Sequence, residues 1–180
     1  MLGLWRKRRP VEELVEAVHA RLVEASRDPR LYGPGGLPDS VEGRFESLVL
    51  HALLVLRRLR ALPKPADAFA QELIDLVFAH LEIALREMGI GDFGVPKRMK
   101  KLAGAFYDRL RAYDPALGRA DRDGLARAVA EHLPEHPEPP VTVADYVLAN
   151  DRALSALDFD GILRGLRFEA ARSPLADAHP

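Results

Sequence analysis

Apolar residues recur at three- and four-residue intervals over most of this chain, the spacing that lines one face of a helix. Val11, Leu14, Val15, Val18, Leu22 and Val23 form the first such stripe, with Pro10 where a first helical residue would stand. They predict a helix from Pro10 to about Ser26. Residues 28–40 hold three prolines and three glycines and predict a loop. A second helix is predicted from Val41 to Ala61. Apolar residues surround its middle turns, which marks it as the central helix of a bundle. Arg57, Arg58 and Arg60 close it, where the negative end of the helix dipole favours cations.

Beyond Pro63-Lys-Pro65, a stripe of Phe69, Leu73, Leu76, Val77, Leu81, Ala84, Leu85 and Met88 predicts a third helix over residues 67–88. Gly89-Ile-Gly-Asp-Phe-Gly94 breaks it. A fourth helix is predicted from near Val95, with Pro96 in its first turn, and Asp114-Pro115 begins its exit. Residues 121–133 read as a shorter amphipathic helix and 134–140 as a stiff proline-rich linker. Thr142 is the expected N-cap of a helix over Val143–Leu157, with Asp145 in its first turn, followed by a short turn at Asp160–Leu166 and a frayed tail. No run of strand period appears. The expected fold is all-α, a single compact bundle of six or seven helices. Its parts are a basic arm, first helix and loop (1–40), a helical core (41–113), and acidic C-terminal helices and tail in the same domain (114–180).

Composition adds constraints. With 180 residues, 48% hydrophobic and 29% charged, the chain has the proportions of a globular protein. It contains no cysteine, so disulfides, thiolate nucleophiles and Cys-based metal sites are excluded. The formal net charge of -1 hides a skew: residues 1–111 hold 19 basic and 15 acidic side chains, residues 112–180 hold 7 and 12. The total alone argues against a DNA-binding protein, and DNA is not an expected partner. No stretch of about 18 residues lacks charge, so no transmembrane span is expected. The Met1–Arg9 arm, with Trp5 beside four cations, lacks the apolar region of a secretory signal. It reads either as a solvated terminus or as a weak anchor on an anionic membrane, and the first reading is favoured. A cytoplasmic location is expected, with peripheral attachment to the cytoplasmic face of the inner membrane as an option.

Little points to catalysis. Gly89–Gly94 fits G-x-G-x-x-G literally, but a dinucleotide site needs a strand before the first glycine, and here a long helix precedes it. Val95 stands where a P-loop requires lysine. A helix-ending turn explains most of these glycines. The six histidines form no metal motif, and Pro134 separates His132 from His136. His51, inside the apolar run, is expected to be a core histidine with one hydrogen-bond partner. No catalytic residue, cofactor or metal site is assigned.

Lys97, Arg98, Lys100 and Lys101 are the feature that a structural role leaves unexplained. Four cations crowd the first two turns of a helix, where the dipole repels them. The arrangement suits an anionic partner, such as a phosphate, a lipid headgroup, ribosomal RNA or an acidic protein patch. It equally suits a solvated face.

Two ordered strings carry a resemblance. The first is Gly43-Arg-Phe-Glu46 followed by His51-Ala-Leu-Leu-Val-Leu-Arg-Arg-Leu59. The second runs from Ala70-Gln-Glu-Leu-Ile-Asp75 through Leu85-Arg-Glu-Met-Gly-Ile-Gly-Asp92 and Val95-Pro-Lys-Arg-Met-Lys-Lys101 to Ala105-Phe-Tyr107 and Tyr113. Together they resemble the ubiquinol–cytochrome c chaperone family, with departures at His80, Glu82, Phe93 and Asp108. The resemblance implies an all-helical, non-enzymatic assembly factor for the cytochrome bc1 complex, whose partner is newly made cytochrome b or a bc1 assembly intermediate. The ribosome and an anionic membrane surface are further expected contacts. The expected partner-binding residues are Arg86, Glu87, Gly91, Asp92, Lys97, Arg98, Lys100, Lys101 and Tyr107. The alternative is a helical protein that binds a small phosphorylated ligand at Gly89–Lys101. A helical scaffold for an unrelated partner is a third reading.

Overall fold

The computed structural model describes residues 2–133 and 138–171, with side chains from residue 11 onward. The described residues form seven α-helices: α1 (Leu2–Ser26), α2 (Val41–Arg60), α3 (Ala66–Glu87), α4 (Val95–Gly118), α5 (Arg122–Ala130), α6 (Val141–Ser155) and α7 (Phe159–Gly165). Among the described residues there is no strand, only an isolated bridge between Tyr32 and Leu37.

α2 occupies the centre, as its all-round apolar pattern predicts, and packs against α1, α3, α4 and α6. Every residue from Val49 to Leu56 is buried, His51 included. Its start is set by local chemistry. The Ser40 hydroxyl accepts from the Gly43 N–H at 3.2 Å and caps the first turn. Gly43 is required there for a different reason: a Cβ would lie 1.9 Å from the carbonyl oxygen of Pro38.

α5 and α6 pack on each other, α5 also on α4, and α6 on α2, while α7 closes against α1. Buried Asn150 helps to hold the C-terminal segment. Its amide donates to the Tyr146 carbonyl at 3.0 Å and its oxygen accepts from the Glu169 N–H at 2.7 Å. Among the described residues no buried side-chain nitrogen or oxygen lacks a hydrogen-bond partner.

Four boundaries differ from expectation. α1 continues on the N-terminal side of Pro10 to Leu2, so the backbone of the basic arm is helical. The arm's side chains, Trp5 and its four cations among them, lie outside the described residues, as do His136, His179 and most of the 134–140 linker. α4 does not exit at Asp114-Pro115 but runs on to Gly118. Proline removes one backbone hydrogen bond there, and burial of Ala116 and Leu117 beyond it holds the last turn. α6 starts at Val141, with Pro140 rather than Thr142 at the N-cap. The Thr142 hydroxyl instead donates to the Gly35 carbonyl at 2.5 Å, tying the helix to the Pro/Gly loop. Asp145 therefore falls beyond the first turn and pairs with Arg122 of α5 at 2.6 Å. Finally, the turn expected at Asp160–Leu166 is a short helix capped by Asp158, which accepts from the Gly161 N–H at 2.7 Å.

Candidate functional site

The sequence directs attention first to the α3–α4 turn. Gly89, at φ +80°, is the glycine whose positive φ ends α3. The Ile90 N–H returns to the Leu85 carbonyl at 3.2 Å. Gly91 and Gly94 have no positive φ, so the conformational argument holds at one glycine of the three. Arg86 clamps the turn, pairing with Glu82 at 2.9 Å on its own helix and with Asp92 across it. Both carboxylates raise the pKa of the guanidinium. Arg86 and Asp92 thus spend their charge on each other, and Glu87 and Gly91 stand exposed beside them.

Lys97, Arg98, Lys100 and Lys101 are all exposed, and none forms an ion pair with a described residue. The Gly94 N-cap supplies no side-chain acceptor, and no acid sits in the first turn. The cations therefore sit on an unmodified positive helix end. Phe93, next to them, is fully exposed. Tyr107 lies seven residues past Lys100, which puts it on the same side of α4 about two turns along. Its ring packs 5.5 Å from Phe106 and 6.2 Å from Phe78. Phe106 is buried.

Tyr107 belongs to a second concavity of about 900 Å³, where the end of α2 faces α4 and α6. There Arg57 reaches Asp114 of α4 and, at 3.1 Å, Asp151 of α6. Arg58 donates to the Leu157 carbonyl at 2.6 Å. Arg57 and Arg58, two of the three arginines that close α2, are thus tied to neighbouring elements as well as to its dipole.

Sequence reasoning missed two features. One is a groove of about 580 Å³ where α1, α2 and the second half of α3 meet the start of α4. Val41 and Met88 on its edges are each 61% exposed. Its signal lay in the stripe Val77, Leu81, Ala84, Leu85 and Met88, which the periodicity assigned to the core. The other is a buried polar cluster. Glu46 is fully buried and accepts from Arg109 Nε at 2.6 Å and from the Tyr113 hydroxyl. The Tyr113 oxygen receives a 3.3 Å contact from His132 Nδ1, whose main acceptor is the Ala128 carbonyl at 2.9 Å. Burial and Glu46 push the pKa of the Tyr113 phenol up. The cluster joins α2 to α4 and to the residues after α5, and its signal was a glutamate on the apolar side of α2.

His51 is a core histidine, with two partners rather than one. Nδ1 donates to the Ser47 carbonyl at 2.7 Å, which leaves Nε2 to accept from the Tyr146 hydroxyl at 2.8 Å. Burial lowers its pKa to about 4, so the ring is neutral at physiological pH. His19 is likewise lowered to about 4, by burial and by His80, whose ring meets it edge-on at 4.4 Å. Among the described residues, no group of three or more histidine or carboxylate side chains could hold a metal ion.

Comparison with known proteins adds identity to this geometry. No curated protein matches the chain. The crystal structure of a Cbp3 homolog from Brucella abortus is similar, with 35% sequence identity, a TM-score of 0.82, and coverage of 93% of this chain and 96% of that one. The likeness therefore spans the fold from α1 to α7. The family model described as ubiquinol-cytochrome C chaperone matches residues 35–168, from the Pro/Gly loop through α7. That span contains the α3–α4 turn, the cation cluster and the buried Glu46–Arg109 pair, and the chain belongs to the ubiquinol–cytochrome c chaperone family.

Proposed function

We propose that this protein is an assembly chaperone for the cytochrome bc1 complex, respiratory complex III, and that it binds newly made cytochrome b. The observation that carries the proposal is the agreement of family and fold over nearly the whole chain, at an identity well above that of fold likeness alone. The described structure is consistent with a binding rather than a spanning role: among the described residues, no helix is long and apolar enough to cross a membrane. The client, an integral membrane protein, emerges beside anionic surfaces, the bilayer and the ribosome. Lys97, Arg98, Lys100 and Lys101 supply the charge to hold the chaperone there, at the cytoplasmic face of the membrane. Arg86 and Asp92 fix the turn that presents them, with Glu87, Gly91 and Tyr107 beside the contact.

Affinity purification from membranes tests the client. Tagged protein is expected to recover cytochrome b ahead of the mature complex. Replacing the four cations by glutamate is expected to reduce that recovery while the protein stays helical. Recovery without cytochrome b contradicts the client assignment. Undiminished recovery with the glutamate variant assigns the cations to a solvated face.

A further inference from the structure

The groove between α1, α2 and α3 is lined in a way the α3–α4 turn does not explain. One wall is Val77, Leu81, Ala84 and Leu85 of α3 with Met88 just past its end; the other is Val41, Phe45 and Leu48 of α2. Buried His19 and Ser26 of α1 form its floor. The formal charge on the lining comes from Arg27 and Arg44, and no aspartate or glutamate lines the groove. Arg44 shares Asp39 at 2.7 Å outside the lining, whereas Arg27 makes no ion pair with a described residue. His19 is neutral at physiological pH, so it adds no charge to the floor.

From this lining we infer that the groove is a docking site for an amphipathic helix of a partner protein whose apolar face is bordered by acidic residues. Three arguments select that occupant. The walls are helices whose backbone groups are bonded internally, so an extended segment would find no ladder for its amides. A helix arrives with its own bonds satisfied. The α3 wall from Val77 to Met88 is about 16 Å long at helical rise, enough for about three turns of a partner helix. Ala84, small and exposed midway along that wall, leaves room for a close approach. The charge then chooses among helices: a carboxylate beside Arg27, which has no ion pair with a described residue, gains a partner at the rim of an apolar site, with Arg44 as a second cation that it would share with Asp39, whereas a lysine beside Arg27 meets like charge. The inference rests on the lining and not on the assembly role.

Synthetic helical peptides about three turns long provide the probe. One carries a leucine stripe at i, i+3, i+4 and i+7 with glutamates on both flanks, a second has lysines in their place, and a third has the leucines replaced by glutamine. Fluorescence anisotropy with the full chain is expected to show binding of the glutamate-edged peptide about tenfold or more tighter than the lysine-edged one, and none of the glutamine version. Ala84→Trp, which fills the groove from an exposed position, is expected to abolish binding with the circular dichroism spectrum unchanged. Met88→Asp gives a second block, and Arg27→Glu with Arg44→Glu is expected to invert the charge preference. Equal binding of both charged peptides, no binding of either, or binding untouched by Ala84→Trp and Met88→Asp overturns the inference. Self-association that Ala84→Trp removes assigns the groove to a second copy, and competition by neutral phosphatidylcholine vesicles assigns it to lipid. Either result overturns it as well. None of these outcomes bears on whether complex III assembly requires the protein.

Discussion

Glu46 brings a carboxylate into the interior of α2, and the cost of desolvating it is met by Arg109 and Tyr113 together. A buried pair of this kind is a weak source of net stability, but removing one member leaves the other charged and unpaired. Glu46→Ala is therefore expected to destabilise the protein by roughly 3–5 kcal/mol, and Tyr113→Phe by about 1–3 kcal/mol, in urea denaturation. A loss below about 0.5 kcal/mol for Glu46→Ala would mean that Arg109 finds water or another acceptor. His51 contributes through protonation. Its pKa of about 4 in the fold lies below the ordinary 6.5, so the unfolded chain takes up the proton first as pH falls. Its contribution is complete above pH 6.5 and is lost as pH drops towards 4, a difference of roughly 3 kcal/mol. His51→Gln is expected to flatten the slope of stability against pH in that window, whatever it does to stability at pH 8. The sequence made His51 legible, because a histidine inside an uninterrupted apolar run has nowhere else to go. The role of Glu46 is not legible there, because its partners lie 63 and 67 residues away and only the α2–α4 packing brings them together.

Helix interiors were readable from periodicity, and helix ends only where the capping chemistry is local. Ser40 and Gly43 mark the start of α2 in four residues of sequence. The starts and ends that differed are those set by distant groups. Pro115 is carried inside α4 because Ala116 and Leu117 are buried, and Thr142 is drawn to Gly35 rather than to its own helix. Gly43 gives a sharp test at this scale. With a backbone oxygen 1.9 Å from where a Cβ would stand, Gly43→Ala must displace the Pro/Gly loop or the first turn of α2. A cost of about 3 kcal/mol or more is expected from thermal denaturation. At the start of α4 the expected sign is opposite. Lys97→Glu replaces a first-turn cation that the helix dipole disfavours and is expected to raise stability by about 0.3–1 kcal/mol, and Lys100→Glu, a turn further on, by about 0.2–0.5 kcal/mol through relief of like-charge crowding. A gain in stability with a loss of partner association would mark these lysines as retained for binding. A gain with no loss would mark them as solvated.

Across the whole molecule, the basic portion through residue 111 and the acidic portion after it do not simply face away from each other. Arg57 of α2 reaches Asp114 and Asp151, and Glu46 takes Arg109, so charges from distant parts of the chain are stitched together across the bundle. Four cations without an ion pair to a described residue cluster at the start of α4, and Arg27, also without one, stands on the rim of the α1–α2–α3 groove. The all-helical class and the family could be read from ordered strings of residues, because those strings carry both core periodicity and the turn chemistry of Gly89. The groove could not be read that way. Leu81, Leu85 and Met88 have core spacing, and only the tertiary arrangement shows that none of the described helices covers them. Whether cytochrome bc1 assembly depends on this protein is read most directly from bc1 activity and cytochrome b abundance in membranes of a strain lacking it. Both are expected to fall sharply and to return with the intact gene. Normal cytochrome b and normal bc1 activity in the deletion strain would contradict that dependence.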